Sequence, residues 1–173
     1  MTNQDLSFPL EGADALKATF RLHASGVSVI TLSSDEGNPL GFTATSVTSL
    51  GSNPPLVSFN VASGSSSYPS LVPGRTIAIH TLSADNLGLA QRMAGPASER
   101  FSADDWKFQD QAPVFDCASA VLIGTIRKVI AVEANAVVVV DVIKGREFGE
   151  SHSPLLYYRR GYLTSGERLA DNY

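Results

Sequence analysis

The chain has only one cysteine, Cys117, and few charges of either sign. A single cysteine excludes an intrachain disulfide and a cysteine-rich zinc site. Charged residues make up 17% of the 173 residues and the formal net charge is −4, which argues against a nucleic-acid surface, because phosphate backbones select clustered Lys and Arg. The sequence also has no apolar run long enough to span a bilayer and no basic, apolar secretory signal at its start. We therefore expect a cytoplasmic protein with no nucleic-acid or membrane partner.

The sequence also lacks the familiar catalytic motifs. It has no GxSxG nucleophile elbow, no GxGxxG fingerprint and no Walker motif, and no carboxylate pair suits acid–base work. His23, His80 and His152 lie far apart, and each has a structural interpretation: a helix end, a strand interior and a turn before Pro154. No HxH or HxxxH spacing joins them, so we expect no metal site. Cys117 has no activating neighbour, which makes a catalytic thiol unexpected.

What the sequence does contain is a mainly β pattern. With 43% hydrophobic residues, a chain of this length can bury the core of one domain, which we place over 1–173 with a barrel core at about 20–163. Short, evenly spaced strands with few helices predict an antiparallel barrel. We predict strands at 26–34, 41–49, 56–61, 75–83, 118–130, 136–143 and 155–163. We predict helices at 13–24, 66–72 and 85–93, and one helical turn at 103–106 within a long connection.

Two clusters of small hydroxyl residues stand out within residues 41–69. They cover Thr43 to Ser46 and Ser63 to Ser67, and an apolar strand separates them. Small side chains leave backbone N–H groups and short hydroxyls accessible, which suits a phosphate and a flat polar ring. Taken alone, the same residues also fit serine-rich surface turns. A site with hydrogen bonds but few catalytic side chains favours a cofactor that carries its own chemistry.

Six motifs occur in a fixed order along the chain. They are ASGVSVIT at 24–31, GFTATSVTS at 41–49, PPLVSF at 54–59, SSSYP at 65–69, RMA with ERF at 92–101, and PLLYYRRGY at 154–162. Together they resemble the flavin reductase-like family, over about 20–163. The resemblance implies a mainly β, antiparallel split barrel (the FMN-binding split barrel) with a few short helices. It also implies a homodimer with flavin near the subunit interface, which serves as the reductase component of two-component flavin monooxygenases.

The resemblance assigns roles to thirteen residues. Those implied to face the flavin ring and ribityl chain, largely through the backbone, are Thr43, Ala44, Thr45 and Ser46. Those implied to lie near the phosphate are Asn60, Ser63, Ser65, Ser66 and Ser67. Arg100 and Phe101 would approach from the long connection, and Tyr158 and Arg159 would sit beside the nicotinamide pocket. The implied cofactors are FMN, with FAD or riboflavin possible, and NADH or NADPH as hydride donor.

The chain departs from the family pattern at two positions. Asn135 stands where many members have the His of a Gly-Asp-His turn, and His80 stands where Asn is common. An amide donates a hydrogen bond but carries no charge, so Asn135 is a candidate residue at the nicotinamide. The leading hypothesis is an NAD(P)H:flavin oxidoreductase that supplies reduced flavin to a monooxygenase. The alternatives are a tightly FMN-binding protein without diffusible reductase activity, and a haem-handling or structural split-barrel dimer.

Overall fold

Antiparallel strands dominate the secondary structure of the computed structural model, which describes residues 8–148 and 153–166. The two α-helices are α1 (Gly12–Arg21) and α2 (Leu87–Ala94), and short 3₁₀ turns cover Tyr68–Ser70 and Ala84–Asn86. The strands are β1 (Ser25–Gly26), β2 (Ser28–Ser33), β3 (Pro39–Ala44), β4 (Thr48–Ser52), β5 (Pro55–Ala62), β6 (Thr76–Thr81), β7 (Lys107–Gln109), β8 (Ala112–Val114), β9 (Ala120–Val132), β10 (Asn135–Glu147), β11 (Leu155–Tyr158) and β12 (Gly161–Thr164).

The largest sheet has seven strands in the order β3-β2-β6-β9-β10-β5-β4, and all its pairings are antiparallel. Its centre is the hairpin of β9 and β10, each 13 residues long. Of the two smaller sheets, one has the strand order β1-β11-β12 and the other pairs β7 with β8. The predicted antiparallel architecture is therefore confirmed.

Two hydrophobic clusters cover the two faces of the sheet. Alternate residues of β2 enter different clusters: Val29 packs with Met93 and Phe115, whereas Ile30 packs with Phe59 and residues of β6 and β10. All six residues of β2 are buried as a result, including its hydroxyl residues. The hydroxyl of Thr31 donates to the carbonyl of Pro113, so this polar side chain is paired inside the core.

Several sequence predictions differ from the structure. The helix predicted at 66–72 is the shorter 3₁₀ turn Tyr68–Ser70, and the strand predicted at 26–34 is divided into β1 and β2. The single strand predicted at 41–49 is two strands, β3 and β4, because residues 45–47 leave the ladder there. The single strand at 155–163 is a hairpin of β11 and β12, which turns at Arg159 and Arg160 with φ of 48° and 66°. The helical turn predicted at 103–106 is a bend, and the β7–β8 hairpin follows it.

Helix α1 lies on the outside of the fold. Its bounds agree with the predicted helix except that it ends at Arg21, before residue 24. None of its residues is buried, and Leu16 and Phe20 are 59% and 62% exposed. Its amphipathic pattern therefore produces an apolar face that the described part of this chain does not cover. Among the described residues, no helix has the length and apolar character that crossing a membrane requires.

Candidate functional site

Hydrogen bonds hold the two hydroxyl clusters side by side. The Ser46 hydroxyl accepts from the N–H of Asn60 (2.9 Å) and donates to the carbonyl of Asn60 (3.3 Å). At the other end, the Ser67 hydroxyl donates to the carbonyl of Gly41 (3.5 Å). Residues 41–46 and 60–67 thus run alongside each other, although the sequence separates them by a strand.

A groove with a volume of about 680 Å³ opens next to this junction. Its walls combine hydroxyl, amide and aromatic groups from α1, β1, the β3–β4 link, β5 and β11. They are Phe20, His23, Ala24, Ser25, Gly26, Thr45, Ser46, Val47, Thr48, Asn60 and Tyr157. Small-molecule sites usually measure roughly 300–1,000 Å³ and combine apolar walls with a few polar groups. The groove has the size and lining for a flat, polar ring.

Arg100 places a positive charge against the serine segment. Its Nη1 donates to the carbonyl of Gly41 (2.7 Å) and to the hydroxyl of Ser66 (3.3 Å), and its Nε donates to the carbonyl of Gly95 (3.0 Å). Desolvation lowers the pKa of the Arg100 guanidinium, yet an arginine stays protonated in proteins. A guanidinium beside small hydroxyls is a suitable donor set for a phosphate.

Gly41 is the point where both segments and Arg100 meet. A Cβ at this position would lie 2.6 Å from the Ile30 carbonyl oxygen and 2.7 Å from Cε of Met93. Glycine alone therefore lets the chain pass this close to β2 and α2. That approach puts the Gly41 carbonyl within reach of Arg100 and Ser67 together.

The predicted residues of the first cluster divide into two groups. Thr45 and Ser46 line the groove. The Thr43 side chain does not line the groove, because its hydroxyl donates to the carbonyl of Ala90 in α2 (2.7 Å). Ala44 is buried in the core. Any ligand contact of Thr43 or Ala44 would use the backbone, as the sequence prediction specifies.

The second cluster divides in the same way. Ser63 and Ser66 are exposed and Ser65 is half-buried, whereas Ser67 has no exposed surface. The Ser65 hydroxyl accepts from the N–H of Ser67 (3.4 Å), which closes the turn. Ser66 alone of these hydroxyls bonds to Arg100, so it is the serine side chain placed beside the guanidinium.

Asn135 lies beside the serine segment, outside the groove lining. The N–H and the hydroxyl of Ser63 both donate to the carbonyl of Ala134 (2.9 and 3.1 Å), which ties the β9–β10 turn to the serines. Asn135 follows that carbonyl, is exposed, and stands opposite Ala62 in the ladder. Asn135, the candidate residue for the nicotinamide, is therefore next to the candidate phosphate site.

His80 has a structural role, as the sequence interpretation expected. Its Nδ1–H donates to the carbonyl of Val29 (3.0 Å) and its Nε2 accepts from the N–H of Phe115 (3.1 Å). These two bonds require the neutral ring, and burial lowers the pKa of His80 to about 4. The Phe115 ring stacks on Phe101 at 5.9 Å, so Phe101 packs against the core and anchors the segment that carries Arg100.

The remaining candidate groups do not form a reactive centre. Partial desolvation and the charge of Asp105 raise the pKa of the Cys117 thiol, which opposes thiolate formation. No three His, Cys, Asp or Glu side chains of residues 8–148 and 153–166 gather closely enough for a metal ion. His23 is exposed in the groove wall, and His152 lies outside the described residues.

Tyr158 and Arg159 lie in a smaller cavity of about 180 Å³ that shares three residues with the groove, Phe20, His23 and Tyr157. The sequence prediction missed these shared walls. It also missed Arg21 and Arg160, which line the smaller cavity. The available signal was the helical spacing of Leu16 and Phe20, which predicts an amphipathic helix but not what its apolar face contacts.

The fold and the site define a flavin reductase-like protein. The flavin reductase like domain model matches residues 20–166, and the chain belongs to this family. An NADH:FMN oxidoreductase of Rhodococcus qingshengii is 38% identical over 157 residues, which covers 84% of this chain and 78% of that relative. The reductase component of a flavin-dependent trigonelline monooxygenase of Acinetobacter baylyi is 31% identical over 90% of this chain. This chain spans 50% of that relative's length.

The structural comparison agrees with the family. A flavin reductase domain protein from Arthrobacter sp. has a TM-score of 0.84 and 40% sequence identity, and the match covers 91% of this chain and 98% of that chain. The predicted family and the predicted split-barrel fold are therefore confirmed.

Proposed function

We propose that this chain is an NAD(P)H:flavin oxidoreductase that binds FMN and reduces it by hydride transfer. The observation that carries the proposal is the junction of the two hydroxyl segments, which leads from a groove of about 680 Å³ to the Arg100 guanidinium. A ring site and an anion site on adjacent segments suit a flavin mononucleotide. The names of the Rhodococcus and Acinetobacter relatives support the same activity.

The described residues fit the cofactor by the chemistry of their donors. Thr45, Ser46 and Asn60 would hold the polar edge of the ring and the ribityl chain, and Ser66 with Arg100 would hold the phosphate. When bound, flavin supplies a ring that accepts a hydride from a dihydronicotinamide. The chain's own contribution is to fix the orientation of two stacked rings and to exclude water with aromatic walls. Because the flavin would supply the reactive ring and the chain would only orient the rings, the site needs no nucleophile.

The charge of the site suits a flavin that is released after reduction. Among the described residues of the two segments and their contacts, Arg100 supplies the fixed positive charge. A phosphate held by one guanidinium and neutral hydroxyls binds reversibly. We propose that reduced flavin passes to a partner monooxygenase. We also propose that residues 1–173 act as one domain in a cytoplasmic homodimer, and the exposed apolar face of α1 supports the dimer.

The alternative functions receive less support. A tightly FMN-binding protein without reductase activity and a haem-handling or structural dimer are not favoured by the relatives, which are reductases by name. A steady-state assay of NADH and NADPH oxidation with added FMN, FAD or riboflavin tests the proposal. We expect oxidation that depends on added flavin. No oxidation with any of the three flavins would refute it.

A substitution at Ser66 tests the phosphate site. Ser66→Asp places a carboxylate beside Arg100 and opposes the FMN phosphate, whereas riboflavin has no phosphate to repel. Loss of one charge-assisted contact costs about 1–3 kcal/mol, so FMN affinity should fall roughly 10- to 100-fold while riboflavin affinity changes little. Ser67 is unsuitable for this test because it is buried.

The readout is the dissociation constant from flavin fluorescence. Ser52→Asp is the matched control, since Ser52 is exposed at the far end of β4. Equal losses of FMN and riboflavin affinity in Ser66→Asp would show that the serine segment does not hold the phosphate.

A further inference from the structure

The smaller cavity beside the groove is strongly basic. Four cations line it: Lys17 and Arg21 from α1, and Arg159 and Arg160 from the β11–β12 turn. Lys17 and Arg21 are one helical turn apart and so share a face. The rest of the lining is aromatic or histidine, and no carboxylate of the described residues is part of it. An anion that reaches this cavity therefore meets positive charge from two elements.

These four cations also have no carboxylate partners among the residues that the structure describes, whereas four other cations of the chain do. Ion pairs among the described residues include Arg75–Asp35, Arg92–Asp105, Arg127–Asp141 and Lys144–Asp110. The chain carries 17 acidic residues against 13 basic ones, so acidic partners are not scarce. Clustered like charges repel each other and favour an anionic ligand.

The turn that carries Arg159 and Arg160 is itself unusual. Both residues have positive φ, 48° and 66°, in a two-residue hairpin loop between Tyr158 and Gly161. Such loops normally use Asn-Gly, because long side chains are disfavoured in the left-handed region. The Arg159 guanidinium packs 5.4 Å from the centre of the Tyr158 ring, which holds that charge near the cavity. Strain of this kind is found at ligand-binding positions.

We propose that this basic pocket binds the diphosphate of the dinucleotide hydride donor, while the dihydronicotinamide enters the adjoining groove. The inference rests on the proposed reductase function and extends it to the part of the donor that does not react. Guanidinium groups match phosphate oxygens in geometry and charge. The two cavities share three wall residues and therefore adjoin each other, which suits an extended donor. Binding the remote diphosphate positions the reacting ring.

The test uses the double variant Arg21→Gln with Arg160→Gln. Its matched control is Lys107→Gln with Lys128→Gln, which removes the same charge from exposed positions outside the pocket lining. We expect the double variant to raise KM for NADH and NADPH roughly 10- to 100-fold with little change in kcat. N-benzyl-dihydronicotinamide, a donor without phosphate, should react equally well with the variant and the parent. Calorimetry with ADP, a diphosphate probe, should show weaker binding to the variant only.

The outcomes separate this inference from the proposed function. An equal loss with the phosphate-free donor, or unchanged ADP binding, would overturn the inference. A loss of FAD affinity without a change in KM for NADH would also overturn it, because the diphosphate would then belong to the flavin. If the parent protein oxidises no donor, the proposed function fails, and ADP calorimetry still reports on the pocket.

Arg160→Gly provides a second variant whose folding is not at risk. Glycine relaxes a left-handed position, so this variant should unfold at a higher temperature than the parent. It should at the same time bind ADP more weakly and show a raised KM for NADH. A turn with a purely structural role would show the first effect without the other two.

Discussion

Protonation of His80 should couple the stability of this fold to pH. The folded state holds the imidazole neutral, between the Val29 carbonyl and the Phe115 N–H, with a pKa of about 4 against an ordinary value of 6.5. Above about pH 6.5 both folded and unfolded states are neutral here, so His80 contributes no pH dependence. As the pH falls from 6.5 to about 4, the unfolded state takes up a proton that the folded state does not. The free energy of unfolding should therefore fall by about 3 kcal/mol across this range.

The assay is urea unfolding of the parent and of His80→Gln at several pH values in that range. The variant cannot titrate, and subtracting the two free energies of unfolding cancels the contributions of the other carboxyl and histidine groups. We expect the variant to be the less stable protein at neutral pH, because it loses the paired ring. That deficit should shrink by about 3 kcal/mol towards pH 4. A difference that stays constant with pH would refute a neutral, doubly bonded His80.

Two further substitutions test the surroundings of the site. Gly41→Ala should destabilise the protein by about 1–3 kcal/mol, because its Cβ would overlap the Ile30 carbonyl, and thermal unfolding measures the loss. Gly64→Ala is the control, since nothing lies within 4 Å of a Cβ there, and equal effects would contradict the close approach at Gly41. Asn135→His should raise kcat/KM for NADH if the donor passes this turn, as the family resemblance implies, because the imidazole adds a titratable donor on the turn tied to Ser63. An unchanged value would place the hydride donor away from this turn.

The sequence was sufficient to predict the strands of the large sheet, since alternation and β-branched residues depend on local pattern. It did not predict the break between β3 and β4. That break depends on the bond between Ser46 and Asn60, which are 14 positions apart in sequence. Nor did it predict the β11–β12 hairpin, because Arg159 and Arg160 give no turn signal of the Asn-Gly kind.

The candidate site was predictable only in its motif-bearing half. Thr45 and Ser46 belong to a recognisable motif, Asn60 directly follows another, and the structure brings all three to one groove. The opposite wall comes from Phe20, which a single sequence presents as an ordinary apolar residue, and from Tyr157, whose motif does not indicate that it meets α1. Their role depends on α1 remaining outside the core, and hydrophobic periodicity does not distinguish an exposed face from a buried one.

The hydrogen bonds of Ser46 and Ser67 make the candidate cofactor site part of the contact that closes the barrel. β3 and β5 are not neighbours in the sheet order, so no backbone ladder joins residues 41–46 to residues 60–67. Hydrogen bonds of side-chain hydroxyls connect the two segments instead. A ligand that contacts both segments would add reversible non-covalent bonds between them. If flavin binds here as proposed, its occupancy and the rigidity of this edge are linked: the bound flavin would stabilise the contact between the two segments, and their separation would set how fast the flavin leaves.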